Sequence, residues 1–458
     1  MTTDHHIQIQ INKKQITVTP QQFVLYKQSK VIEVIDKQQK TYYLLFYKNN
    51  FLNGFQTNAI KPNTYLHRAL TNGISFSGEH PLTIHFLHQN HSFQFVKAPL
   101  FIKHVQKAYS PIETALIMTI CDSLIPLETI QEMIKNTFYE YRRNGKTLAA
   151  YKVLTIAIHY NPTDQFALDM LRNMEFQKYD RLYQDMMKVY SKDPIYTEFV
   201  CFEQLEKDEK VDLLVQLYKE QGRLIDELAI RLTALKANFT NDKFNTLETM
   251  LQSFSPEEQF VILQEIQETS SAPALTEKVL SILLTVGKPN DLVDFTMSSN
   301  YNPTNEQLPT FVKSVEQADR TVLKSYFHNG NKRLLQLSAS DSKTLEKLVT
   351  PFISSFLDQH SLEEIDQWLV PFRHAKIHLP IEQKIKKMQA LADDPDQQYT
   401  LGELYMGLKQ YEKSIDCFKW EMELHPENPK PVKYLAKIYQ ELDQPEEASA
   451  YKQLLKHM

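Results

Sequence analysis

The feature that most constrains this chain is a change of hydrophobic period near Pro111. Before it, apolar and polar residues alternate, the spacing of strands with one buried face. After it, apolar residues recur at three and four, as in Leu148, Tyr151, Leu154, Thr155 and Ile158 or Leu275, Val279, Leu280 and Leu283, the spacing of amphipathic helices. The expected fold is multidomain α+β, with a small N-terminal all-β domain followed by a long all-α array. Only 9 glycines occur in 458 residues. That scarcity favours long helices and leaves little room for glycine loops that cradle phosphates.

In the first part, Ile7, Ile9 and Ile11 alternate with glutamines, and Ile16 and Val18 resume the pattern after Lys13-Lys14. This predicts a hairpin pairing Ile11 with Ile16 and Ile9 with Val18. Leu82, Ile84 and Phe86 before Gln89-Asn90, with Phe93 and Phe95 after it, predict a second hairpin. Phe23–Tyr26, Val31–Ile35 and Tyr42–Tyr47 read as strands, and residues 48–80 as mostly loop. About seven short strands suggest a β-sandwich or open barrel.

Charge divides the chain at the same place. Residues 1–108 hold 12 Lys or Arg against 4 acids, a balance of 12 − 4 = +8, which leaves 39 − 52 = −13 for residues 109–458. The basic part either attracts an anionic partner or lies against the acidic remainder of its own chain. Tyr42, Tyr43, Tyr47, Phe51 and Phe55 near Lys40, Lys48 and Lys61 are the aromatic–lysine mixture of a single-stranded nucleic-acid surface. Half of these aromatics are needed for a core, however, and only one arginine occurs there. The start, Met1-Thr-Thr-Asp-His-His, has neither the positive flank nor the apolar core of a signal peptide. No window supplies the roughly 18 to 20 apolar residues of a spanning helix, so a cytoplasmic protein without membrane insertion is expected. Cys121, Cys201 and Cys417 form no paired spacing and read as reduced, structural thiols.

The helical part repeats. At an offset of 34 residues, Leu401 falls on Leu435, Gly402 on Ala436, Tyr405 on Tyr439 and Ser414 on Ala448. With Phe418 and Pro426 added, residues 395–428 resemble the tetratricopeptide repeat, with Gln398 at the leading aromatic position. In the next copy Lys452 takes the phenylalanine position and Tyr451 stands one residue early, as a capping end would. Tyr141, Ala150, Leu154, Ala157 and Pro162 keep the same spacing upstream, with Thr137 and Phe138 in place of the Leu-Gly pair. The corners Asn161-Pro162 and Asp193-Pro194 suggest one helix pair between them. Residues 195–390 show helix pairs without the consensus.

The resemblance implies a right-handed superhelical solenoid. Its three segments are a basic β-rich domain over 1–108, degenerate repeat-like helix pairs over 109–394, and C-terminal repeats with a capping helix over 395–458. Such arrays bind a protein or peptide partner along a concave face, which makes a non-enzymatic adaptor or scaffold the leading reading. The family's inner face would place Tyr399, Glu403 and Met406, then Lys433, Lys437 and Gln440, toward the partner. The Lys-and-Asn clamp of chaperone-tail binders is not reproduced by Tyr399 and Glu403. The alternative is a nucleic-acid-associated regulator whose basic β-domain binds the polymer.

Enzyme signals are weak, and no catalytic residue, metal or cofactor is expected. Arg142–Thr147 ends in Gly-Lys-Thr, but Glu140 stands where a phosphate loop needs glycine, so a turn between helices is expected. His374 and His378 have the spacing of one helix face but no third ligand. His80, His85, His88 and His91 surround the second hairpin, with His85 and His88 on opposite sheet faces. Ser255-Pro-Glu-Glu258 and Ser361-Leu-Glu-Glu364 are helix starts, whose acids serve capping rather than general acid–base work.

Overall fold

The computed structural model of the chain describes residues 6–90, 92–299, 301–337 and 341–457. It forms two compact units, residues 1–272 and residues 273–458.

Unit 1 opens with seven strands: β1 (Ile7–Ile11), β2 (Lys14–Tyr26), β3 (Ser29–Asp36), β4 (Thr41–Tyr47), β5 (Asn50–Gln56), β6 (Ile74–Ser77) and β7 (Phe93–Phe95). The sheet order is β5-β4-β3-β2-β1-β7, with β6 also paired to β2. The first hairpin forms, but Ile9 faces Ile16 and Ile7 faces Val18. Asn12 and Lys13, with φ of 47° and 67°, make the two-residue turn. Both left-handed positions suit a primed hairpin turn, and the two-residue offset from the expected register keeps every isoleucine on its expected face.

The second hairpin does not form. Residues Pro81–His88 are helix α2, preceded by helix α1 at Tyr65–Asn72. Pro81 occupies the first turn, and the His80 side chain accepts the Leu82 N–H. Leu82 and Phe86 therefore share a helix face, an ambiguity inherent in short apolar runs. Phe93 pairs in parallel with Ile9 instead of facing Phe86. The 48–80 stretch is likewise not a loop, since it supplies β5, α1 and β6. The first domain is thus a sheet with two inserted helices rather than all-β.

The sheet curls into a nearly closed barrel. Asn53 on β5 donates from Nδ2 to the Val96 carbonyl at 2.9 Å and accepts the Val96 N–H at 3.0 Å, so one side chain bridges β5 to the end of β7. Gly54 beside it lies in the stretch read as loop, but a Cβ there would stand 2.3 Å from the Phe95 ring. Glycine is required by that close crossing. The tyrosines expected on an exposed face lie inside: Tyr42, Tyr43 and Tyr47 are buried, and Phe51 and Phe55 half-buried.

After the barrel, the further helices of unit 1 run from Ala98 to Gln267. Between Asn161-Pro162 and Asp193-Pro194 stand four short helices, Gln165–Leu171, Met174–Gln177, Asp180–Gln184 and Met186–Lys192, instead of one pair. Asp164, Asp185 and Asp193 each cap a new start, breaking the segment into pieces. The Arg142–Thr147 segment is a turn between Leu127–Arg143 and Thr147–Tyr160, with Gly145 at φ 68°.

The described residues of unit 2 form helices and connecting turns, ending in two antiparallel pairs, Gln398–Gly407 with Tyr411–Leu424 and Pro429–Glu441 with Pro445–His457. The capping boxes at Ser255 in unit 1 and Ser361 in unit 2 form as expected. His374 ends the helix Val370–His374, and Lys376 turns left-handed at φ 59°, so His378 is not on that helix.

Candidate partner-binding surface

Four helix pairs share one corner. A tyrosine near the end of the first helix accepts the N–H five residues on: Lys146 to Tyr141, Arg223 to Tyr218, Gln410 to Tyr405 and Gln444 to Tyr439, at 2.9, 2.8, 2.9 and 2.9 Å. The intervening left-handed residues are Gly145, Gly222, Lys409 and Asp443. This is the Schellman termination. The pair Asp208–Glu220 with Leu224–Ala237 lies in the stretch read as helix pairs without the consensus, and its Tyr218 and Gly222 repeat the spacing of Tyr141 and Gly145.

In the last two pairs the small residues sit at contacts. A Cβ on Gly402 would meet the Phe418 ring at 3.0 Å, and Ser414 Oγ donates to the Gly402 carbonyl at 2.8 Å. Leu401, Phe418, Leu435, Ala436 and Ala448 are buried, Tyr405 and Tyr439 half-buried, and Pro426 exposed between the pairs. Tyr451 stacks on Tyr439 at 5.4 Å, so the aromatic standing one residue early still serves the packing.

The six residues expected on the inner face divide into two kinds. Tyr399 packs edge-on against Phe418 and Tyr434, Glu403 accepts the Tyr434 hydroxyl at 2.8 Å, and Met406 packs on the same core. These three are engaged within the array. Lys433, Lys437 and Gln440 are exposed along the helix Pro429–Glu441, and among the described residues neither lysine has a carboxylate within 4.0 Å.

In unit 1 one corresponding corner, though not the exposed face of Asp212 and Gln216 that matches Lys433 and Lys437, holds the chain's own barrel. The β2–β3 and β4–β5 turns insert against the corner at Gly222-Arg223. Lys30 Nζ lies 2.6 Å from Asp226 Oδ2, both side chains fully buried. Arg223 reaches Asp226 at 2.6 Å and Glu198 at 2.8 Å, and its guanidinium stands 4.2 Å from the Tyr218 ring. Backbone groups complete the seam: Arg223 donates to the Lys27 carbonyl, Gln28 to the Ile195 carbonyl and Asn49 to the Gly222 carbonyl. Burial pushes the Lys30 amine down to about 8 despite Asp226. At Asp226 burial acts the other way, but Arg223 and Lys30 outweigh it and hold the carboxyl below its usual range.

Further contacts extend this seam. Lys27 pairs with Glu203 at 2.6 Å and Lys48 with Glu113 at 3.6 Å, while Arg68 donates to the Tyr160 carbonyl. His80 Nε2 lies 3.1 Å from Glu265, and His85 Nε2 2.9 Å from Glu258. These histidines join α2 to the helix Pro256–Gln267, and His85 and His88 lie on a helix rather than on opposite sheet faces. His91 lies outside the described residues. Among the described residues no group of three His, Cys, Asp or Glu is placed to hold a metal ion, and no helix is long and apolar enough to cross a membrane. All three cysteines are free and buried, which pushes the Cys201 and Cys417 thiols up to about 11.

No family model matches the chain, and no curated protein does. Among solved structures, the complex of Naa15 and Naa10 bound to HypK-THB contains a similar chain, at 14% identity and a TM-score of 0.19. The match covers 77% of this chain and spans 64% of the length of the other.

Proposed function

We propose that this protein is a non-enzymatic cytoplasmic adaptor that holds a protein or peptide on tetratricopeptide-like helix pairs near its C-terminus. The observation carrying this reading is internal. The helix-pair corner at Gly222-Arg223 holds a β-hairpin turn of the same chain through backbone carbonyls and buried charges. The corner at Asp443-Gln444 has the same backbone hydrogen bond and is exposed, as are Lys433, Lys437 and Gln440 on its first helix. A surface of this kind binds by shape and by several side chains acting together.

The nucleic-acid reading draws less support. Its tyrosines are buried and Phe51 and Phe55 half-buried, and Lys27, Lys30 and Lys48 are paired with Glu203, Asp226 and Glu113. The test is partner recovery with the full chain against Lys433→Glu/Lys437→Glu. Loss of a nuclease-resistant protein partner at unchanged melting temperature is expected. Equal recovery by both proteins refutes this surface as the binding site.

A further inference from the structure

The barrel has two ends of opposite character. Its β2–β3 and β4–β5 turns plug into the helices of unit 1, where Lys27, Lys30 and Lys48 meet carboxylates. Strand directions fix what lies at the other end. β1 and β7 run toward it in parallel, β3 ends there, and β2 and β4 start there. The β1–β2 turn, the β3–β4 turn and the exit from β7 therefore lie toward one end, the rim, with the β1–β2 hairpin running on past the end of β3, since Val18 pairs with both Ile7 and Asp36.

That rim carries Lys13 and Lys14, Lys37 and Lys40, and Lys97, all exposed. Among the described residues none of the five has a carboxylate within 4.0 Å. The acid in the β3–β4 turn, Asp36, is consumed locally, accepting the Gln38 N–H at 2.7 Å, the Lys40 N–H at 3.0 Å and the Tyr42 hydroxyl at 3.0 Å. The tight turns hold lysine at or beside left-handed positions, with Lys13 at φ 67° and Lys40 following Gln39 at φ 61°. The charges thus project from fixed backbone.

We propose that this rim is an electrostatic docking surface for an anionic lipid bilayer. Three features favour lipid over a polynucleotide. The charges are lysines on three separate segments at one end of the barrel, not a continuous row along one groove. Tyr42 and Tyr43 beside this end are buried and cannot stack on bases. No arginine stands among the five to fork onto a phosphodiester or a base edge. The turns Asn12-Lys13 and Lys37-Gln38-Gln39-Lys40 carry no apolar side chain, so at these two segments the contact is adsorption at the headgroups, while beside Lys97 the exposed Leu100 adds one apolar side chain. Each lysine near such a surface is worth on the order of a fivefold gain in partitioning, falling with salt.

The test is co-sedimentation of the full chain with phosphatidylcholine vesicles, with or without phosphatidylserine, at low and moderate salt. Parallel assays use duplex and single-stranded DNA. The comparison proteins are the variant with Lys13, Lys14, Lys37, Lys40 and Lys97 all changed to Gln, and Lys433→Gln/Lys437→Gln. Expected is phosphatidylserine-dependent, salt-sensitive binding by the wild type and by the Lys433/Lys437 variant, reduced at least a hundredfold in the rim variant at unchanged melting temperature. Absence of phosphatidylserine-dependent binding, equal binding by the rim variant, or DNA binding through the rim without vesicle binding each overturns the proposal. Because Lys433 and Lys437 are a separate arm, failure here leaves the adaptor reading standing.

Discussion

Asp226→Asn is the sharpest perturbation of the barrel seam. In the native protein its two oxygens lie 2.6 Å from Lys30 Nζ and 2.6 Å from Arg223. The amide leaves two cations against Glu198 alone, and removing one partner of a buried ionic group costs about 3–5 kcal/mol. The share at Lys30 is bounded, because its amine can shed its proton. Burial already holds that amine at about 8, against ~10.4 for a free lysine, a penalty of about 3 kcal/mol. Complete neutralisation at pH 7 adds on the order of 1 kcal/mol. The larger share falls on Arg223, which cannot deprotonate. A base whose folded pKa is depressed is more protonated in the unfolded chain between the two pKa values, so its contribution to stability rises with pH across that interval. In the wild type this rise starts near 8; in Asp226→Asn it starts lower. The deficit of the variant should therefore shrink between pH ~6 and ~8, by up to about 1.4 kcal/mol per pH unit. Calorimetric melting at both pH values measures it. Trp368 and Trp420, the only 2 tryptophans, both lie in unit 2, so their fluorescence serves as an internal control. Lys30→Met with Asp226→Leu, which leaves the Arg223–Glu198 pair balanced, should regain most of the loss. A deficit under about 1 kcal/mol, or one that does not change with pH, would refute the reasoning.

Two further outcomes follow from packing and from charge. Gly402→Leu forces a side chain into the 3.0 Å contact with Phe418 and should cost about 1–3 kcal/mol or more; the Trp420 fluorescence melt reads it, and an unchanged midpoint would dismiss the close helix contact. At Glu265, burial would raise the carboxyl, but hydrogen bonds from His80 and Lys236 outweigh it and bring it down to about 2. A depressed acid stabilises above its unfolded pKa and loses that contribution as pH falls through the folded one, so Glu265→Gln should flatten the acid limb of the unit 1 stability profile between pH ~4.5 and ~2. An acid limb as steep as the wild type's would show that the pair contributes nothing.

What could be read from the sequence was whatever local pattern decides. Alternation placed the first hairpin, and capping boxes placed the helix starts at Ser255 and Ser361, because each depends on residues within a turn or two. What could not be read depends on residues far apart. Leu82, Ile84 and Phe86 fit a strand or a helix equally well by spacing, and the decision came from His80 capping Pro81–His88. Gly54 fell in a stretch read as loop because nothing local announces that Phe95 will lie across it, 41 residues later. The Tyr218–Gly222 corner was legible by its spacing but fell in a stretch read without the consensus, because Val215 and Glu227 replace its small residues.

The charge division shows the same limit in a form that bears on function. A balance of +8 over residues 1–108 cannot distinguish lysines that fasten the barrel to its own helices from lysines that face outward. Topology separates them. In antiparallel strands successive turns fall at alternate ends, so Lys27 and Lys48 go with the docked turns while Lys13 and Lys37 go with the free ones. Among the described residues only the docked set meets acids of the same chain. Raising the salt should therefore act unequally on the two sets. The buried Lys30–Asp226 pair is shielded from counterions, whereas the free rim is open to them. A barrel that stays fastened in salt while its rim releases an anionic surface is what this division of charge produces.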